Sequence, residues 1–163
     1  MIKYVSHAVT FAEVPDEISL PLAISTCGGN CPGCHSPELR GDIGRDLEAD
    51  LPQLLKKYKD QITCVCFLGQ GNDPDALQEC IDYVYYHGLK TCLYSGVDSA
   101  GDLPGLMHLT YIKVGHYDEA LGGLDKPTTN QRMYAVTYLK SRDGRHWYAI
   151  DDDITYKFWR KKE

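Results

Sequence analysis

Residues 20–39 read LPLAISTCGGNCPGCHSPEL, a short apolar run that ends in a glycine-rich loop carrying three cysteines. The run at residues 20–25 is predicted to be a strand. The loop sets Cys27, Cys31 and Cys34 in the spacing C-x3-C-x2-C. Three thiolates this close can take three corners of a [4Fe–4S] cube and leave the fourth iron open to a small molecule. Gly28, Gly29 and Gly33 let the backbone wrap such a cube and leave room over the open iron. Two other readings stand beside this one. A structural zinc site needs a fourth ligand, either His35, whose place next to Cys34 makes tetrahedral chelation awkward, or a distant His. The third reading is a loop of free thiols.

Working outward, strand and helix patterns alternate. Residues 46–58 carry Leu47, Leu51, Leu54, Leu55 and Tyr58 at helical spacing, with Pro52 marking a helix start near itself. Residues 62–68 (ITCVCFL) read as a strand covered on both faces. Asp73 caps a helix whose first residue is Pro74. Ala76, Leu77, Cys80, Ile81 and Val84 form its apolar face, and Gly88 its stop. Residues 90–94 and 111–114 are two more strands. Residues 133–139 and 146–150 flank a Ser-Arg-Asp-Gly turn signal. Such alternation predicts an α/β chain of parallel βαβ units, curled into a partial barrel or lying as an open sheet. Loops following parallel strands share one edge, where ligands bind. The cysteine loop, the 69–74 segment GQGNDP and the Tyr94-Ser95-Gly96 turn should therefore meet.

The 163 residues are expected to form a single domain, with 43% hydrophobic and 25% charged residues, ordinary globular usage. A net charge of −6, with Arg160-Lys161-Lys162 as its short basic run, predicts no nucleic-acid binding. No apolar stretch approaches membrane-spanning length, and residues 1–17 lack a signal-peptide pattern. A cytoplasmic location without membrane attachment follows as an expectation. The seven cysteines are an odd number, and clustered cysteines in a reducing compartment read as metal ligands or reactive thiols. Cys64 and Cys66 share one strand face and, with Cys80 and Cys92, read as core residues.

The cluster spacing resembles that of the radical S-adenosylmethionine (SAM) superfamily. Five stretches, the cluster loop among them, narrow the resemblance: CGGNCPGCHSPEL at 27–39, FLGQGNDP at 67–74, LYSG at 93–96, YIKVGHYDEALGG at 111–123 and KPTTNQRMY at 126–134. Together they resemble the activating proteins of anaerobic ribonucleoside-triphosphate reductases. That resemblance implies a minimal, incomplete (βα) barrel of mostly parallel strands. It implies a [4Fe–4S] cluster on Cys27, Cys31 and Cys34, with SAM chelating the open iron. Reductive cleavage of SAM then gives methionine and a 5′-deoxyadenosyl radical, which takes hydrogen from a glycine of the partner reductase. A flavodoxin- or ferredoxin-like donor would supply the electron.

The candidate SAM contacts are Gly33, Cys34, His35, Gly69, Gly71, Asn72 and Asp73. In the superfamily an aromatic residue often precedes the last cysteine, where this chain has Gly33. The superfamily's Gly-Gly-Glu-Pro-like strand end is replaced by Gly69-Gln70-Gly71-Asn72-Asp73-Pro74. His116 and Tyr117 could line the cleft, and Asn130-Gln131-Arg132 could fix a loop or bind a ligand. Three rival functions remain open: a small radical SAM enzyme acting on another glycyl-radical enzyme, one acting on a small molecule, and a zinc-binding interaction module.

Overall fold

In a computed structural model, which describes residues 1–6, 8–29, 31–34, 36–103, 105–140 and 146–160, the predicted strands join one sheet. In chain order the elements are β1 (Lys3–Ser6), β2 (Ser19–Ile24), β3 (Arg45–Asp46), α1 (Leu47–Tyr58), β4 (Cys64–Leu68), α2 (Pro74–Tyr86), β5 (Lys90–Tyr94), β6 (Tyr111–Val114), β7 (Arg132–Lys140) and β8 (His146–Asp153). The strands order as β3-β1-β2-β4-β5-β6-β7-β8, and β3 and β8 stand at opposite edges, so the sheet is not closed. Parallel pairing is confined to the middle, β2-β4-β5-β6, while the pairs at both flanks are antiparallel. The expectation of mostly parallel strands thus holds for the centre alone.

Strand alternation sends side chains to two different cores. Leu20, Leu22, Ile24, Val65, Phe67, Leu93 and Ile112 pack under α1 and α2. Cys64, Cys66 and Cys92 face the other way, against Val14, Met133 and Ile154. Among the described residues that second face carries no α-helix; the segment before β2 and the chain after β8 cover it. All six residues of β2 are buried, as a strand covered on both faces requires.

The helices form where their caps and apolar faces direct. The Asp73 carboxylate accepts the Ala76 N–H at 3.1 Å, Pro74 opens α2, and Ala76, Leu77, Cys80, Ile81 and Val84 are buried. Gly88 follows the helix at φ +78°, the left-handed stop that glycine adopts without strain. In α1 the cap is Asp46, and Leu47 is already helical, so Pro52 lies inside the helix rather than at its start. Pro52 is exposed.

Among the described residues two of the three parallel crossovers contain an α-helix. Residues 95–110, between β5 and β6, hold a 3-10 turn at Ala100–Asp102. Gly96, Gly101, Gly105 and Pro104 disfavour a longer helix. Leu103, Leu106 and Leu109 are nevertheless buried in the helix-side core. The β7–β8 hairpin pairs as predicted, and its Ser141–Gly144 turn lies outside the described residues. Among the described residues no helix is long and apolar enough to cross a membrane.

Candidate functional site: a cysteine-lined cleft at the sheet edge

Because β2, β4, β5 and β6 run parallel, the loops that follow them lie along one edge. Three of these loops and the start of the fourth enclose a cleft of about 520 Å³. Cys27, Gly28, Gly29, Cys31 and Pro32 come from the loop after β2, and Gly69, Gln70 and Gly71 from that after β4. Ser95, Gly96 and Val97 follow β5, and His116 follows β6. The predicted meeting of the cysteine loop with the GQG and Ser95-Gly96 segments is therefore present.

The loop is stitched at its base. Thr26 N–H donates to Gly41 O at 3.1 Å, and Cys27 N–H to Leu39 O at 2.9 Å. Cys34 N–H donates to Cys31 O at 3.2 Å, and the Arg40 guanidinium reaches the same carbonyl at 3.2 Å. This turn keeps Cys34 beside Cys31, although Cys34 does not line the cleft. Cys27 is exposed and Cys31 and Cys34 are half-buried, all with free thiols. A Cβ on Gly29 would stand 3.4 Å from Cys27 Sγ and 3.9 Å from Cys31 Sγ. The bare glycine therefore leaves open the space that two sulfurs flank. At Gly33, φ is +74° and a Cβ would fall 2.8 Å from Glu119 Oε2.

Thiolates on one tetrahedral zinc, about 2.3 Å from the ion, must nearly touch. Among the described residues no three His, Cys, Asp or Glu side chains converge closely enough to hold a single ion. Cys27, Cys31 and Cys34 are the thiols that would hold an iron–sulfur cluster, and Gly29 leaves the space beside two of them open.

The other candidate contacts divide. Gly69 and Gly71 line the cleft, and Gly71 sits at φ +61° with Ile24 Cγ2 only 3.1 Å from where a Cβ would be. Asn72 turns to a separate hollow beside Met1, Lys3, Thr26 and Asp42. Asp73 is occupied as the α2 cap and by the Met1 ammonium at 2.5 Å, which holds its carboxyl below the usual range. Gly33 packs on Glu119, and His35 lies outside the described residues.

His116 does line the cleft. Its Nδ1 lies 2.6 Å from Asp98 Oδ1, and its N–H donates to the same oxygen at 3.2 Å. The imidazole lowers the Asp98 carboxyl below its ordinary range. Tyr117 instead lines a hollow on the helix-free side with Tyr94, Glu119 and Gln131. The Asn130-Gln131-Arg132 run fixes the backbone. Asn130 Nδ2 donates to His116 O at 3.1 Å, and Gln131 Nε2 to Gly115 O at 3.3 Å. Arg132 stands 3.6 Å from Asp153.

Two residues were not among the sequence candidates. Gln70 accepts the Ser95 hydroxyl at 2.5 Å, joining two cleft walls. Lys113, 7% exposed, donates to Gly115 O at 2.9 Å and Ser95 O at 3.3 Å. Burial pulls its ammonium down to about 8. A groove of comparable size between β1 and α1 is lined by Tyr4, Arg45, Asp50 and Lys57. Its principal charges are already paired, Arg45 to Asp50 at 2.7 Å, with Tyr4 hydroxyl on the same carboxylate at 2.9 Å. No protein-family model, no curated protein and no solved structure matches this chain.

Proposed function

We propose that this chain is a radical SAM activase whose partner is an anaerobic ribonucleoside-triphosphate reductase. One observation carries the reading: Cys27 and Cys31 open into the same cleft as Gly69, Gly71, Ser95 and His116, at the edge where parallel strands end. Cys27, Cys31 and Cys34 would hold a [4Fe–4S] cluster. When bound, that cluster supplies the electron that splits SAM into methionine and a 5′-deoxyadenosyl radical, the electron coming from a flavodoxin- or ferredoxin-like donor.

The chain's own residues bind and orient. Gly69 and Gly71 present backbone without side chains, so the methionyl end of SAM can approach closely. The Gln70–Ser95 hydrogen bond keeps the two walls at a fixed separation. His116, held by Asp98 through Nδ1, lines the cleft. The cofactors carry the chemistry, and the protein supplies position. A cleft open to one side suits a macromolecular substrate, since the target glycine must reach the radical closely.

The test is anaerobic reconstitution with iron and sulfide, then reaction with reductant, SAM and a partner reductase deuterated at glycine. Deuterium should appear in 5′-deoxyadenosine, and a glycyl radical signal should reside on the partner. SAM cleavage without deuterium transfer would move the reading to a small-molecule radical SAM enzyme. Zinc in place of iron and sulfide would move it to an interaction module.

A further inference from the structure

The lysine on β6 is placed unlike any other cation among the described residues. Lys113 lies in a sheet whose two faces are both covered, and it shares the helix-free face with Tyr111, two positions before it. Its ammonium is 5.7 Å from the centre of the Tyr94 ring. Its two hydrogen-bond acceptors are main-chain carbonyls, of Ser95 and Gly115. Ser95 is itself part of the cleft wall beside Cys27 and Cys31, and Gly115 precedes His116 on the same wall. The charge therefore sits directly behind the wall that faces the cysteines.

Among the described residues no carboxylate lies within ion-pair distance of this ammonium. A buried cation without a counter-ion is unfavourable, and carbonyls compensate it only in part. Contrast Lys90, which meets the buried Glu17 carboxylate at 2.5 Å. The acceptors of Lys113 belong instead to Ser95 and Gly115, at the wall of the cysteine-lined cleft.

We propose that Lys113 is a charge-tuning residue, a fixed positive charge behind the cleft wall that favours the more negative, reduced state of an iron–sulfur cluster on the cysteine loop. This rests on the radical SAM reading above. Adding an electron to a cluster held by three thiolates deepens its negative charge, and a nearby cation in a poorly solvated setting stabilises that state more than the oxidised one. Lys113 transfers nothing itself; it positions charge.

The experiment compares wild type with Lys113→Met, which keeps length and volume without charge, and Lys113→Gln, which keeps a donor for the carbonyls. The reconstituted clusters are titrated anaerobically against mediators and followed by electron paramagnetic resonance. At a fixed poise the ratio of reduced to oxidised cluster should fall about tenfold in both variants, equivalent to about 59 mV for one electron. Iron content should stay at the wild-type level. The same variants without iron are then melted. Lys113→Met should melt higher than wild type, because the unpaired charge is gone. Unchanged potential in either variant with full iron would overturn the proposal. So would a lower melting temperature in both iron-free variants, which would make Lys113 a structural tie between the β5 and β6 ends. A wild-type chain that takes up no iron and sulfide fails the radical SAM reading itself, before any variant is compared.

Discussion

Cysteines occupy two contrasting regions of this molecule. Cys27, Cys31 and Cys34 lie in a loop beyond the sheet edge, exposed or half-buried. Cys64, Cys66 and Cys92 lie in the sheet centre on adjacent parallel strands, each 0% exposed. Cys66 and Cys92 are register partners. Burial pushes the thiols of Cys64 and Cys66 far above their ordinary value, and raises Cys80 to about 12. The thiolate is the metal ligand and the nucleophile, so the inner group behaves as small hydrophobes while the loop group remains available. Clustering in space does not by itself make a site; access and a path for charge do.

The sharpest way to break this contrast is to remove sulfur from each region. Cys27→Ala, Cys31→Ala or Cys34→Ala should each abolish iron binding or SAM cleavage. Cys64→Ala and Cys80→Ala should keep full iron, at a stability loss of about 1 kcal/mol, typical of a small core truncation. Iron and sulfide analysis with urea unfolding reads both. A full cluster with normal turnover in Cys31→Ala would end the distinction.

Alkylation gives the next largest effect. In the metal-free native chain the loop thiols should react with iodoacetamide about a thousandfold faster than Cys66 and Cys92. The inner thiols become accessible only through openings that cost several kcal/mol. Mass spectrometry of digested samples over time measures the ratio. Comparable rates would mean that the helix-free face is not closed by the segments around Val14 and Ile154.

Much of this contrast was legible in the sequence. The C-x3-C-x2-C spacing marked the loop, and the period-2 placement of Cys64 and Cys66 marked one strand face. Helix α2 was readable from Asp73-Pro74 to Gly88, because cap, first residue and stop are all local signals. Strand β1 was not, since it is four residues long and is stabilised by pairing with β2 and β3, which no local pattern encodes. Pro52 misled for a related reason: propensity places it at a helix start, but burial of Leu47, Leu51 and Leu55 extends the helix before it. Residues 111–114 read as a strand, which leaves the burial of Lys113 open. Only the distant segments packed on that face make it buried.

Glycine tests the cleft more finely. Gly71→Val adds a β-branched side chain at φ +61°, where Ile24 Cγ2 already stands 3.1 Å from the Cβ position. The wall should shift into the cleft. SAM cleavage should fall about a hundredfold, the scale of a misplaced reactant, while iron content stays at wild-type level because the cysteine loop is untouched. Isothermal titration with SAM separates weakened binding from slowed chemistry. An unchanged rate would move the SAM site away from the end of β4.

The smallest effect concerns the buried charge that lies between the two cysteine regions. Lys113 drops from the ordinary 10.5 to about 8 in the fold because burial disfavours its ammonium. Between those values the unfolded chain binds more protons than the folded one, so this group makes stability rise with pH across that window. Below about pH 8 the fold bears the buried charge; above it the amine is neutral and the burden fades. Lys113→Met should therefore be more stable than its parent at pH 7, and the gap should narrow by about 2 kcal/mol on going to pH 9.5, at about 1.4 kcal/mol per unit. The pair is best compared in metal-free chains carrying Cys27→Ser and Cys31→Ser, so that the loop thiolates offer no competing charge. Urea midpoints at each pH give the difference, and groups common to both chains cancel. A gap that stays constant would place the ammonium in contact with water or a hidden anion. A gap that widens with pH would mean that the fold stabilises the charge even without the cluster.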